Sequence, residues 1–128
     1  MLTTEPIAAH ARRTLVVARL DARAFPEQVD FLTSPGHRCH GVSRRELGLP
    51  GAGPVKVITD KAVLEADPST GELVLAALYP GVKADEVRAG VGWALRARTS
   101  LIELPPPDER ELHLLRSVLD PQRLHLKG

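Results

Sequence analysis

Only one cysteine, Cys39, occurs in the chain, so no internal disulfide can form, and the usage fits a reducing compartment. Aromatic residues make up 3% of the sequence, which argues against a single-stranded nucleic-acid binder, because such proteins need rings on which bases stack. Neither sign of charge is in excess. The 17 basic and 16 acidic side chains leave a net charge of +1, too small a field to hold a phosphate backbone or an anionic membrane. No apolar run approaches membrane-spanning length, and MLTTEPIAAHARR lacks the apolar stretch of a secretory signal. The expected address is therefore cytoplasmic, with no nucleic-acid and no membrane partner. Internal repeats and low-complexity blocks are absent too.

What is present is aliphatic. With 43% hydrophobic residues and so few rings, the core must come from Leu, Val, Ile and Ala, and 128 residues suffice for one domain, 1–128. After a helix-like IAAHARR, the run TLVVARL (14–20) is apolar on both faces and reads as a buried strand of a parallel sheet. Such a strand needs cover on both sides. The chain offers few helices to supply it, so a missing neighbour is expected. EQVDFLTS (27–34) alternates, with Val29 and Phe31 on one face, and reads as a short strand running into a loop. Residues 34–54 are rich in glycine and proline and long for a structureless connection, which points to function or to contact with something else.

VKVITDKAVLEAD (55–67) reads as two successive strands, DPSTGE (67–72) as a turn, and ELVLAALYPG as the return strand, giving a β-hairpin over residues 62–79. KADEVRAGVGWAL reads as a helix, with Asp85 and Glu86 in its first turn and Val87, Val91 and Leu95 on one face. Gly90 and Gly92 weaken that helix by about 1 kcal/mol each, so something is expected to pack close to it. TSLIEL is a further strand. In PPPDERELHLLRSVLDP, Asp108 and Glu111 form a capping box ahead of a Leu112, Leu115, Leu119 stripe. RLHL reads as a last short strand. The fold class is α/β: an open, mostly parallel sheet with a β-hairpin and flanking helices.

VDFLTSPGH, GLPGAGPVKVITDKAVLEAD, GELVLAALYPGV, EVRAGVGWAL and PPPDERELHLLRSVLDP together resemble the C-terminal half of the β subunit of family I coenzyme A transferases, of the glutaconate CoA-transferase type. The pieces are individually weak, but their order and spacing are specific, and the resemblance runs from about Ile7 to the C-terminus. It implies an open α/β sheet flanked by helices and a component of an enzyme that moves coenzyme A between an acyl-CoA and a carboxylic acid. An active-site glutamate attacks the thioester, and a glutamyl-CoA thioester follows. Coenzyme A enters as substrate, and no metal is expected. The implied partners are a CoA-transferase α subunit, acyl-CoA and a separate polypeptide carrying the N-terminal half of the β subunit.

In the glutaconate type the glutamate lies in that N-terminal half. Here the only acidic residue before the first strand is Glu5, whose surroundings do not match, so no catalytic residue is assigned and the isolated chain is expected to be inactive. The resemblance carries over Ser34, Gly36 and His37 of the SPGH loop, with Pro35 between them, and Gly51 and Gly53 of GLPGAGP, as candidate coenzyme A-binding positions. Two alternatives stand beside the transferase: a non-catalytic acyl-CoA-binding or assembly module, and part of a hydrolase that opens a CoA-linked ring.

SPGHRCHG (34–41) places Cys39 between His37 and His40. Three neighbouring ligands without CxxC or HxxxH spacing make a poor zinc site. A Cys39 nucleophile with a histidine base is conceivable. A glycine-bearing turn with incidental polar residues is the simpler reading. GLPGAGP lacks the pattern of a phosphate-binding loop and reads first as a connector. Arg44 and Arg45 could pair with phosphates, against the plainer reading of a solvated helix start. Trp93 reads as core, and Asp60 as a turn residue that could orient a loop.

Overall fold

The computed structural model describes residues 6–125. A five-stranded sheet organises them, in the order β1 (Thr14–Val17), β4 (Pro54–Ile58), β5 (Ala62–Ala66), β6 (Leu73–Leu78), β7 (Ala97–Glu103). β1 pairs parallel with β4, β5 runs antiparallel to both β4 and β6, and β6 pairs parallel with β7. Four of the five strands thus point the same way, and β5 alone is reversed. The β5–β6 hairpin is the expected one. Its turn is closed by Asp67, whose carboxylate accepts from the Ser69 and Thr70 amides, and by Gly71 at a φ of 74°.

One face of this sheet is covered. Val57, Ala62, Leu64 and Leu75 project from it onto Leu20, Phe25, Val87, Val91 and Leu95. Each fully buried side chain of this kind contributes about 1.5–3 kcal/mol through removal of apolar surface from water. Val87 lies in α2 (Ala84–Ala89). Regular helix stops there, sooner than the Val87, Val91, Leu95 spacing predicts, because the Gly92 N–H donates to the Phe25 carbonyl at 2.8 Å. The expected close approach at both glycines is real. A Cβ on Gly92 would collide with the Glu27 nitrogen, and one on Gly90 would stand 2.9 Å from Leu20 Cγ. Trp93 packs at the rim of the core, 6.4 Å from Phe25 between ring centroids.

Among the described residues nothing packs over the other face. Lys56, Ile58, Val63, Glu65 and Ile102 line a shallow trough there, and Glu65 pairs with Lys56 at 2.9 Å and Arg98 at 2.7 Å. Those pairs hold the Glu65 carboxyl below its ordinary value, the Lys56 hydrogen bond most of all.

Three expectations need correction. β1 forms over only Thr14–Val17 of the predicted 14–20 and is not buried: Leu15 and Val17 are 61% and 80% exposed, because β1 is an edge strand that no other described residues cover. No strand forms over residues 27–34. Val29 and Phe31 are exposed there with no neighbouring strand to complete a ladder, and alternation alone supplies no hydrogen-bond partner. RLHL forms no strand: Arg123 is irregular, Leu124 and His125 are bends, and Leu126 lies outside the described residues. The capping box of α3 (Glu109–His113) is present, with the Asp108 side chain accepting from the Glu111 amide at 2.7 Å. Its continuation, Leu114–Leu119, takes π geometry, and the leucine stripe leads into solvent, with Leu119 at 72% exposure.

Candidate functional site

Residues 34–54 are not structureless. A two-residue turn, with His40 and Gly41 both at positive φ, joins β2 (Arg38–Cys39) to β3 (Val42–Ser43). Arg44 follows, and it is the organising residue. Its side chain is buried, and its guanidinium donates to five carbonyls: Pro35 and Gly36 at 2.8 and 3.3 Å, Ala8 and Ala9 at 3.4 and 2.7 Å, and Pro50 at 3.0 Å. Ala8 and Ala9 belong to α1 (Pro6–His10), so the cation also sits on the negative end of that short helix. Only its Nε lacks a partner among the described residues. Arg44 is therefore neither a phosphate ligand nor part of a solvated helix start, whereas Arg45 beside it is exposed.

The proposed binding positions assemble around this fastener unevenly. Gly36 lies on it through its carbonyl, and Gly53 sits against it, where a Cβ would meet Arg44 Cδ at 2.9 Å. His37 is next in line: its carbonyl accepts the Arg44 N–H, and its Nε2 faces the Pro54 carbonyl at 2.5 Å. A carbonyl only accepts, so Nε2 carries the ring proton. Gly51 points elsewhere, toward α1. At a φ of 77° its Cβ would fall on the Ala11 oxygen, so only glycine fits. Ser34 is half-buried at the start of the loop.

A cleft of about 470 Å³ opens beside His37 and runs between the β2–β3 segment and the β5–β6 turn. Its polar wall comprises His37, Arg38, Ser43, Asp67, Ser69 and Thr70. Gly71 seats His37, since a Cβ there would lie 2.8 Å from His37 Cβ. The sequence pattern identifies DPSTGE as a turn but carries no signal that it faces residue 37. The Asp67 carboxyl is held down to about 2, first by the Ser69 hydroxyl, then by the Ser69 and Thr70 amides, with Arg96 adding to the effect. Arg38 is exposed and spends part of its guanidinium on the Gly41 carbonyl. The Ser69 hydroxyl and the Ser69 and Thr70 amides are spent on Asp67, and the Ser43 amide and hydroxyl on Glu46, so the exposed Arg38 guanidinium is what the wall holds out to an anionic ligand. The wall's one carboxylate, Asp67, stays ionised at neutral pH and is no general acid.

Cys39 is half-buried, and no hydrogen bond joins its thiol to the ring of His37, whose Nε2 faces Pro54, or to that of His40, so no thiol–base pair is assembled among the described residues. Among the described residues no group of three or more His, Cys, Asp or Glu side chains could hold a metal ion. Asp60 does orient a loop: it accepts the Leu20 N–H at 2.7 Å, pinning the end of β1 to the β4–β5 turn. Glu5 lies outside the described residues. No helix among the described residues is long and apolar enough to cross a membrane.

No family model matches the sequence. The chain is 38% identical over 112 residues to the B subunit of a 3-oxoadipate CoA-transferase of Pseudomonas knackmussii, covering 88% of this chain and 43% of that one. It is 36% identical over 109 residues to the B subunit of the glutaconate CoA-transferase of Acidaminococcus fermentans, covering 84% and 41%. The crystal structure of glutaconate coenzyme A-transferase from the same organism superposes with a TM-score of 0.82 at 32% identity, over 98% of this chain and 50% of that chain. The chain thus spans about half the length, or less, of the proteins it matches.

Proposed function

We propose a function from one premise: the chain belongs to the β subunits of the family I CoA-transferases. On that premise residues 1–128 form one domain equivalent to the C-terminal portion of such a subunit. The chain acts as a component of an enzyme that moves coenzyme A between an acyl-CoA and a carboxylic acid. The glutamate that becomes the glutamyl-CoA thioester lies in the half of the β subunit that these residues do not span, and residues 1–128 alone are inactive. The identity to the B subunits of two CoA-transferases, extended along nearly the whole chain, carries the reading.

In this reading Ser34, Gly36, His37, Gly51 and Gly53 shape the loop that meets coenzyme A, with Arg44 holding the loop in place. Partners are an α-type subunit and acyl-CoA, with the N-terminal half of the β subunit completing the site; the assembly is a cytoplasmic hetero-oligomer. No metal takes part.

A second reading is favoured by the cleft itself, whose one carboxylate, Asp67, is tied to Ser69 and Thr70 and is not set up as a nucleophile. It makes the chain a non-catalytic acyl-CoA-binding or assembly module. Thermal unfolding with and without an acyl-CoA separates the two readings. Together with an α-type subunit and the missing half of the β subunit, the transferase component forms a complex that gains stability with acyl-CoA and turns it over. A binding module shifts with acyl-CoA on its own and never contributes to turnover. Failure to associate with those partners at micromolar concentration overturns the first reading.

A further inference from the structure

The sheet has two outer edges, and they differ in kind. β7 carries Arg98, Thr99, Ser100 and Glu103, the polar and charged residues that keep an edge from pairing with another chain. β1 is TLVV, with Leu15, Val16 and Val17 all exposed. The Thr14 and Ala18 amides donate inward, to the Gly53 and Ile58 carbonyls of the β4 side, each at 3.1 Å. Alternation along the strand then turns the N–H groups of Leu15 and Val17 to the open edge. Through the register Leu15–Lys56 and Val17–Ile58, those two side chains continue the bare trough of the sheet, so the unpaired edge and the uncovered face form one surface.

We infer that β1 is an acceptor edge for a strand from the half of the β-subunit fold that these residues do not span. The inference rests on the family reading above and gives it a location. The choice of occupant follows from length: the chain matches 41–43% of its two CoA-transferase relatives along 84–88% of itself, so more than half of the relatives' length has no counterpart here. A strand added at β1 would take up the Leu15 and Val17 amides. The chain that follows it would lie over Leu15, Val17, Ile58 and Val63.

The stretch of the Acidaminococcus fermentans protein that has no counterpart here, produced as a separate polypeptide together with its companion subunit, serves as the binding partner. Hydrogen exchange is followed at single amides of this chain, alone and in the mixture. The expected result is a complex in which the Leu15 and Val17 amides exchange at least about ten-fold more slowly than in the chain alone. Val17→Pro removes one outward N–H without touching the β4 ladder and should weaken association about ten-fold. A complex with unchanged exchange at Leu15 and Val17 overturns the acceptor edge and leaves the family reading standing. So does concentration-dependent protection of those amides in the isolated chain, which would make a second copy the occupant. No complex at all overturns the family reading together with the edge.

Discussion

The Arg44 guanidinium donates to the Ala9 carbonyl at 2.7 Å across 35 positions of sequence, and with four other carbonyls it fixes the end of α1 to the loop around His37. Removing it leaves one buried carbonyl, that of Ala9, and four partly buried ones without this donor, and an unsatisfied buried carbonyl costs about 1–3 kcal/mol. Arg44→Met is expected to lose about 3 kcal/mol in urea denaturation. Arg44→Lys should recover little of that, because one ammonium cannot span five acceptors in three segments.

Gly51 and Gly48 both have positive φ, but only Gly51 faces a backbone. Gly48→Ala should cost about 1 kcal/mol, from conformation alone. Gly51→Ala adds a collision with the Ala11 oxygen and should cost at least about 2 kcal/mol more, or displace α1. Denaturation of the two variants side by side reads the difference; equal losses would refute the close packing of GLPGAGP on α1.

Asp67 and Glu65 both have folded-state values below their unfolded ones, at about 2 against 3.8 for Asp67 and below 4.5 for Glu65. The folded state therefore binds fewer protons than the unfolded state in acid. The stability these groups contribute is complete above their unfolded values and drains as pH falls from about 4 toward 2. Asp67→Asn should be less stable than the parent near neutrality and equal to it near pH 2, giving a shallower acid limb in a series of denaturation curves. Glu65→Gln should lower stability by about 1–2 kcal/mol at neutral pH through the Lys56 and Arg98 pairs.

Cys39→Ser is expected to change stability by no more than about 0.5–1 kcal/mol and to leave any activity of the assembled enzyme intact. Loss of turnover in that variant would restore the thiol-nucleophile reading.

How much of this was legible in the sequence depends on whether the deciding partner was local. The β4–β5–β6 meander, the DPSTGE turn and the Asp108–Glu111 capping box depend on residues a few positions apart, and all three form as read. The close approach at Gly90 and Gly92 was legible because two glycines in a helix need a reason, although Leu20 and Glu27 as the reason were not. Arg44 was misread because an Arg-Arg-Glu run looks solvated, and only the fold brings five carbonyls to one point. Val29 and Phe31 alternate like a strand, but a strand needs a ladder beside it. The exposed β1 and the Leu114–Leu119 stripe were correctly read as apolar. Where their cover lies is a question about half of a fold that the chain does not span.

The most direct test of the account is coenzyme A exchange between an acyl-CoA and a free carboxylate, measured for this chain alone and with an α-type subunit plus the missing half of the β subunit. The account predicts no exchange by the chain alone, and exchange that appears only when all parts are present and disappears when this chain is left out. Turnover by the isolated chain, or full turnover without it, would contradict the account.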